Sequence, residues 1–267
     1  MEPVKQELTA QEQVIGKTVE FIAPSGGLFV IREQNGDDDD LISNSHYAKN
    51  GDHLNHFIAA IVVSTDTTSS KRLTAKDVLN MKVRDKYAIL LKSRIFSLGS
   101  EIRFEYDWGS DRGGKVEYTE DLNQFIWDYS DEDFPLIGDE GYNESRIRPY
   151  LDGKSTHREL ELSSGKKIRY EYLNGVSERY LLELPPVKLT KNAELKARNI
   201  EQYVDNQWHK VESFRYFTPG DMREIRDDAK LYDPETMLTS ELENPKTGEK
   251  IHFPVILAPD FFFPGEI

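Results

Sequence analysis

Residues 25–36 read Ser-Gly-Gly-Leu-Phe-Val-Ile-Arg-Glu-Gln-Asn-Gly, and residues 164–175 read Ser-Gly-Lys-Lys-Ile-Arg-Tyr-Glu-Tyr-Leu-Asn-Gly. The Ser-Gly and Asn-Gly pairs recur at a single offset of 139 at all four positions. Between them lie Leu28–Arg32 and Lys167–Glu171, two runs of strand-like character. Each Asn-Gly leads into an acid-bearing segment that ends in apolar residues, Asp37 to Ile42 in one case and Glu178 to Leu182 in the other. Further out, Thr74-Ala75-Lys76-Asp77 matches Thr218-Pro219-Gly220-Asp221, and Lys115-Val116-Glu117-Tyr118 matches Lys250-Ile251-His252-Phe253. Four matches in one order predict an α+β chain made of two diverged copies of a unit, each with a β-hairpin, helices and a terminal β-ribbon. The boundaries that follow are an N-terminal arm over 1–16, a first unit over 17–129, an acidic linker over 130–157 and a second unit over 158–267.

Local signals fill in the first unit. Lys17–Ile22 and Leu28–Glu33 are two strands across a turn at 23–27, and Asn35-Gly36 closes the second because both residues tolerate positive φ. Asp37–Asp40 open a short helix, where negative charge suits the helix dipole; their spacing lacks the alternation of a calcium loop. Residues 51–63 carry Leu54, Phe57, Ile58, Ile61 and Val62 at helical spacing, followed by a polar loop over 65–71. Thr74 and Asp77 form a capping box. Val83–Leu98 is a helix with one apolar face, and Gly99 stops it. Residues 102–106 and 116–118 alternate as a ribbon around a Gly-rich turn at 109–114. In the second unit, helices are predicted over 177–184, 193–203 and 221–229, and the ribbon turns through 243–248.

With 267 residues, each half is long enough to bury its own core. A net charge of −14 opposes broad attraction to phosphate backbones. The absence of cysteine excludes disulfides and any Cys-ligated metal. No apolar run reaches the ~18–20 residues of a membrane span, and Met1–Ala10 has no apolar core of a secretory signal. The chain is therefore expected to stay where it is made, or to leave with a larger particle.

Candidate chemistry is sparse. His53 and His56, three apart on a helix, are two metal ligands without a third. No Gly-x-Ser-x-Gly elbow or phosphate-binding Gly-rich loop occurs. Asp131-Glu132-Asp133 and Asp139-Glu140 are the acids from which a hydrolase carboxylate pair would have to come. Trp108, Trp127 and Trp208, with Tyr106 and Tyr118, are either ribbon and core packing or a stacking platform for single-stranded nucleic acid, which the acidic balance disfavours. No catalytic, cofactor-binding or metal-ligating residue is assigned. The closing Phe261, Phe262 and Phe263 are the partner-binding candidates: in an extended segment Phe262 points away from Phe261 and Phe263, one set sealing the second unit and the other facing a neighbouring subunit.

Asn244-Pro245-Lys246-Thr247-Gly248 is similar to the Cys-Pro-x-Cys-Gly knuckle of zinc-ribbon-like hairpins, with Asn and Thr replacing both cysteines. The order of segments resembles the T-even-type baseplate hub proteins of contractile-tail bacteriophages. The residues concerned are Val30–Glu33 through Asp38–Asn44, Leu54-Asn55, Asp85-Lys86-Tyr87, and Arg94–Gly99 into Glu101–Glu105. In the second half they are Asp221, Arg226 and Asp260–Pro264. The resemblance implies a structural or assembly component of a tail baseplate, made in the bacterial host cytoplasm and located in the virion. Its partners would be other baseplate or tail proteins, with no cofactor, nucleic acid, membrane or small-molecule substrate. The metal of the family's ribbon turns does not carry over. A dedicated assembly chaperone absent from the mature virion and an acidic hydrolase are the alternatives.

Overall fold

The computed structural model describes residues 16–49, 51–126, 134–135, 138–234, 238–255 and 259–262. Strands β1 (Thr18–Ile22) and β2 (Leu28–Arg32) form an antiparallel hairpin with Thr18 opposite Arg32 and Ile22 opposite Leu28. Gly26, at φ +80°, makes the tight loop between them, donating its N–H to the Ala23 carbonyl at 2.8 Å.

The Asn-Gly step after β2 is not a left-handed turn. Asn35 is extended (φ −138°) and caps helix α1 (Gly36–Ser43): its side chain accepts from Asp37 N–H at 3.0 Å, and Asp38 reaches back to Asn35 N–H at 2.9 Å. Asn is needed here for its side-chain oxygen, not for backbone tolerance. Asn174 does the same work, at φ −129°, for the helix that follows it.

Helices α2 (Ser45–Lys49) and α3 (His53–Ile61) lead into β3 (Val62–Thr65), which pairs with β2 to give the order β1-β2-β3. The helix expected to reach residue 63 stops at Ile61, because β-branched Val62 and Val63 enter this sheet instead. Thr74 and Asp77 cap α4 (Ala75–Leu79) as read from sequence. Helix α5 (Val83–Leu98) also has the expected bounds, and Gly99 ends it at φ +85°. It is not one-faced, however. Arg84, Asp85, Leu90, Leu91, Ser93 and Arg94 are all buried while Leu98 is exposed. Arg84 and Lys86 are buried where they meet the second half, whereas Asp85 and Ser93 accept hydrogen bonds from Ser25 and Gln34 of the first. β4 (Glu101–Asp107) and β5 (Lys115–Asp121) then pair as the first ribbon.

In the second half β6 (His157–Glu161) and β7 (Lys167–Glu171) repeat the hairpin, and Asn174 opens α6 (Gly175–Glu183). The helix expected over 193–203 is short. After α7 (Ala193–Ala197), Asn199 turns left-handed (φ 46°) and the chain pairs as β8 (Glu201–Val204) and β9 (Gln207–Lys210) around Asp205-Asn206, both at positive φ. The sheet runs β6-β7-β8-β9. α8 (Pro219–Tyr232), β10 (Thr239–Glu243), β11 (Lys250–Pro254) and α9 (Pro259–Phe262) complete the chain. The architecture is mixed α+β with four small antiparallel sheets.

One contact occurs in both halves. Asp85, the third residue of α5, accepts the Ser25 N–H at 2.9 Å. Asp221, the third residue of α8, accepts from Lys166 Nζ at 2.7 Å, and Lys166 Nζ also donates to Ser164 Oγ at 3.2 Å. Each Asp therefore ties the start of a helix to the Ser-Gly loop of its own hairpin. Thr218 and Asp221 also form a capping box at the start of α8, as Thr74 and Asp77 do at the start of α4.

The first core gathers Phe29, Ile31, Phe57, Ile61 and Leu90, and the second Ile168, Tyr170, Leu195 and Ile225. They are locked by buried charge: Arg84 donates to Tyr232 O at 2.7 Å and to Asp233 at 3.1 Å, and Arg198 pairs with the same Asp233. Val83 N–H donates to Leu173 O at 2.9 Å, and Lys86 pairs with Glu178 at 2.7 Å. Within the segment read as an acidic linker, Ile147 and Tyr150 are buried, and their N–H groups donate to Phe125 O and Pro24 O, both at 2.9 Å. The two ribbons pack together, with Phe104 stacked on Phe253 at 5.1 Å and Tyr118 OH donating to Glu243 O at 2.9 Å.

Candidate protein–protein docking segment

The aromatic C-terminus does not form the extended segment expected of it. Pro259–Phe262 is a helical turn, Phe261 and Phe262 are both buried, and Phe262 meets Phe57 in the first core at 5.3 Å. Arg94 Nε donates to the Phe261 carbonyl at 2.8 Å and holds the turn down. The side-to-side alternation that left Phe262 facing a neighbour needs a strand, and this turn is not one. Phe263 lies outside the described residues.

The other candidates are dispersed. His56 stacks on Tyr47 at 4.0 Å, and burial lowers the His53 imidazole below its ordinary range. Among the described residues no cluster of three or more His, Asp or Glu could hold a metal. Trp108 is buried in the first ribbon, donating to Tyr118 OH at 2.8 Å with Tyr106 against it, whereas Trp208 sits on the second sheet beside Tyr203 and Arg169. They make no common platform. Asp139 and Glu140 are exposed, and Trp127 and Asp131–Asp133 lie outside the described residues.

What the sequence reading missed is the surface of α6 and the turn after it. The helix is pinned on one side. Ser177 Oγ donates to Ala197 O at 2.9 Å, and Glu178 accepts from Lys86 and from Tyr87 OH at 3.0 Å. Arg179 pairs with Asp52. Gly175 lies so close to α4 that a Cβ there would sit 2.7 Å from Leu79 O, so only glycine permits this approach. Away from these contacts, Val176, Tyr180, Leu182, Val187 and Leu189 are exposed, with Leu182 at 81% and Val187 at 86%. Leu182 stands on the rim of a cleft of about 480 Å³ between α6 and α3–α4, beside Asn55, Lys86 and Arg179.

The comparable helix of the first half has a different surface. Helix α1 begins from the same Asn cap after the same hairpin, yet Asp37 and Ser43 occupy the places of Val176 and Leu182, and both are exposed. An aliphatic side chain left this open gains nothing from folding, whereas covering it contributes ~1.5–3 kcal/mol per residue. Lys188, Lys191 and Lys196 are exposed and have no ion-pair partner among the described residues, while Glu194 between them is held by the buried Arg198 at 2.8 Å.

No protein-family model, curated protein or solved structure matches this chain. Its function is therefore read from its surfaces. No helix among the described residues is long and apolar enough to cross a membrane. The signal in the sequence was the run Leu181-Leu182-Glu183-Leu184-Pro185-Pro186-Val187-Lys188-Leu189, whose apolar residues follow neither a helical nor a strand period across the Pro-Pro step.

Proposed function

We propose that this chain is a non-enzymatic structural or assembly component of a contractile-tail phage baseplate, built from two related units and acting through contacts with other baseplate or tail proteins. The observation that carries contact over catalysis is the exposed apolar segment of residues 176–189, whose counterpart in the first half is polar. Patches of this kind on a soluble protein are characteristic of interaction sites. The baseplate context comes from the segment order that resembles the T-even-type hub proteins. Support for the duplication comes from the paired hairpins, the Asn caps of α1 and α6, and the Asp85–Ser25 and Asp221–Lys166 ties at the third position of α5 and α8.

Quantitative mass spectrometry of purified tails, beside assembly intermediates from the same infected cells, tests the role. A fixed stoichiometry in the finished particle is expected of a structural component. Presence in intermediates and loss from the particle identifies an assembly chaperone, and absence from both overturns the reading.

A further inference from the structure

We propose that the cleft beside Leu182 receives one basic side chain of the docked partner, a lysine or an arginine, whose aliphatic stem lies along the apolar wall and whose N–H donors meet Asn55 and the carboxylates of the lining. This rests on the docking role proposed above and specifies what that surface recognises in its partner.

Two adjoining cavities, of about 480 and 310 Å³, share Gly51, Lys86, Glu178 and Leu182 in their walls and form one cleft among α3, α4, α5 and α6. Leu182 lines both and is 81% exposed, so the cleft opens on the docking surface. Leu54, Leu79, Leu90, Leu238 and Val255 supply an apolar wall of the kind a methylene stem can lie along. The observation that carries the proposal is a buried acceptor in this lining with nothing to accept. Asn55 is 2% exposed; its Nδ2 donates to Asp52 at 3.1 Å, and its Oδ1 is closed off from bulk water without a partner. His53 Nδ1 is a second unpartnered atom in the wall, on an imidazole that burial holds below its ordinary range. Other buried side-chain atoms without partners, Gln34 Oε1 and Ser240 Oγ, line neither cavity. An acceptor left in this state carries its full desolvation cost, which an entering N–H group relieves. The charged lining points the same way. Lys86 is bound to Glu178 at 2.7 Å and Arg179 to Asp52, whereas Glu183 is exposed and has no ion-pair partner among the described residues. A side chain that donates and never accepts fits such a lining, and lysine and arginine combine that property with a long aliphatic stem. Glutamine brings an acceptor of its own on a shorter stem, and a carboxylate would face Glu183 and the unpaired oxygen of Asn55. The net charge of −14 favours approach of a basic partner over an acidic one.

The test uses the full chain and three synthetic peptides that differ only at a central residue between two leucines: lysine, its uncharged isostere norleucine, or glutamate. Fluorescence anisotropy at physiological salt is expected to show the lysine peptide binding at least about tenfold more tightly than the norleucine peptide, with glutamate weakest. Asn55→Leu should bring the lysine peptide down to the norleucine level while changing the urea midpoint little, because the oxygen it removes has no partner. Glu183→Lys, at an exposed position, decides the matter should that variant fail to fold: it should weaken the lysine peptide several-fold and leave the norleucine peptide unchanged. Equal binding of the lysine and norleucine peptides, or lysine binding indifferent to both variants, overturns the inference. So does n-butylamine binding as tightly as the lysine peptide, which would make the cleft a small-molecule site. If Leu182→Ser with Val187→Ser loses its place in the particle while the lysine and norleucine peptides bind alike, the docking role stands and the basic occupant falls. If the lysine peptide is preferred through Asn55 and the serine pair still enters particles normally, the chemistry of the cleft stands and the docking role in the particle falls.

Discussion

Asp85 and Asp221 are each the third residue of a helix, yet their acidities move in opposite directions. Burial pushes the Asp85 carboxyl above its ordinary range, against the pull of Ser25 and Lys82. The Lys166 ammonium and the Ser164 hydroxyl hold Asp221 well below that range. Burial sets the direction at Asp85, whereas the hydrogen-bonded Lys166 ammonium sets it at Asp221. The signs follow by linkage. Stability from Asp221 is complete above the unfolded value of ~3.9 and is lost as pH falls from there toward the lowered folded value. Ionised Asp85 instead costs stability at neutral pH, a cost relieved as pH drops through its raised value. Urea unfolding at pH 7 should therefore show Asp221→Asn clearly destabilised and Asp85→Asn much less so, since the amide still accepts from Ser25. The deficit of Asp221→Asn should shrink below about pH 4. A deficit that stays constant down to pH 3, or a larger loss from Asp85→Asn at pH 7, would contradict these assignments.

At the scale of elements, what is legible in the sequence is what local chemistry decides. The hairpins, the Thr74 box, the bounds of α5 and both ribbons follow from periodicity, caps and turn residues. What is not legible depends on distant partners. β3 and β8 are strands because β2 and β7 offer them edges, and α5 is buried on several sides because both the first hairpin and the second half bond to its polar side chains. The docking segment was hidden for a related reason, since exposure of Leu182 and Val187 is a property of the whole surface and not of the run that contains them. The same distance misplaced Phe262, which returns across the chain to the first core. Phe262→Ala should accordingly cost ~3–5 kcal/mol in denaturant unfolding; an unchanged midpoint would place this ring outside the core. The ribbon turns make a further prediction. Asn244 is buried, donates to Arg112 O at 2.9 Å and accepts from Lys246 N–H at 2.8 Å, so hydrogen bonds join the two ribbons there. Chelators should leave the unfolding midpoint unchanged, whereas Asn244→Ala should lower stability by about 2 kcal/mol through unpaired backbone groups. Stoichiometric zinc in the purified protein, or sensitivity to a chelator, would refute a purely hydrogen-bonded junction.

At the scale of the whole molecule, each half holds an antiparallel hairpin, an Asn-capped helix and a two-stranded ribbon, and the two differ at the surface. Buried pairs such as Arg84–Asp233–Arg198 are the kind that are strongly destabilising to break one partner at a time. The difference lies in α6 and its following turn, where exposed aliphatic residues stand, whereas α1 is polar and acidic. A surface of this kind should be dispensable for folding and needed for assembly. The direct measurement is made on one double variant, Leu182→Ser with Val187→Ser. Its urea midpoint is compared with the parent's, and its abundance in purified tails is measured by mass spectrometry from cells making either form. An unchanged midpoint with at least about a tenfold loss from the particle, as expected when interface anchors of ~2 kcal/mol or more are removed, is the result the assembly role requires. Normal incorporation of the folded variant would contradict it.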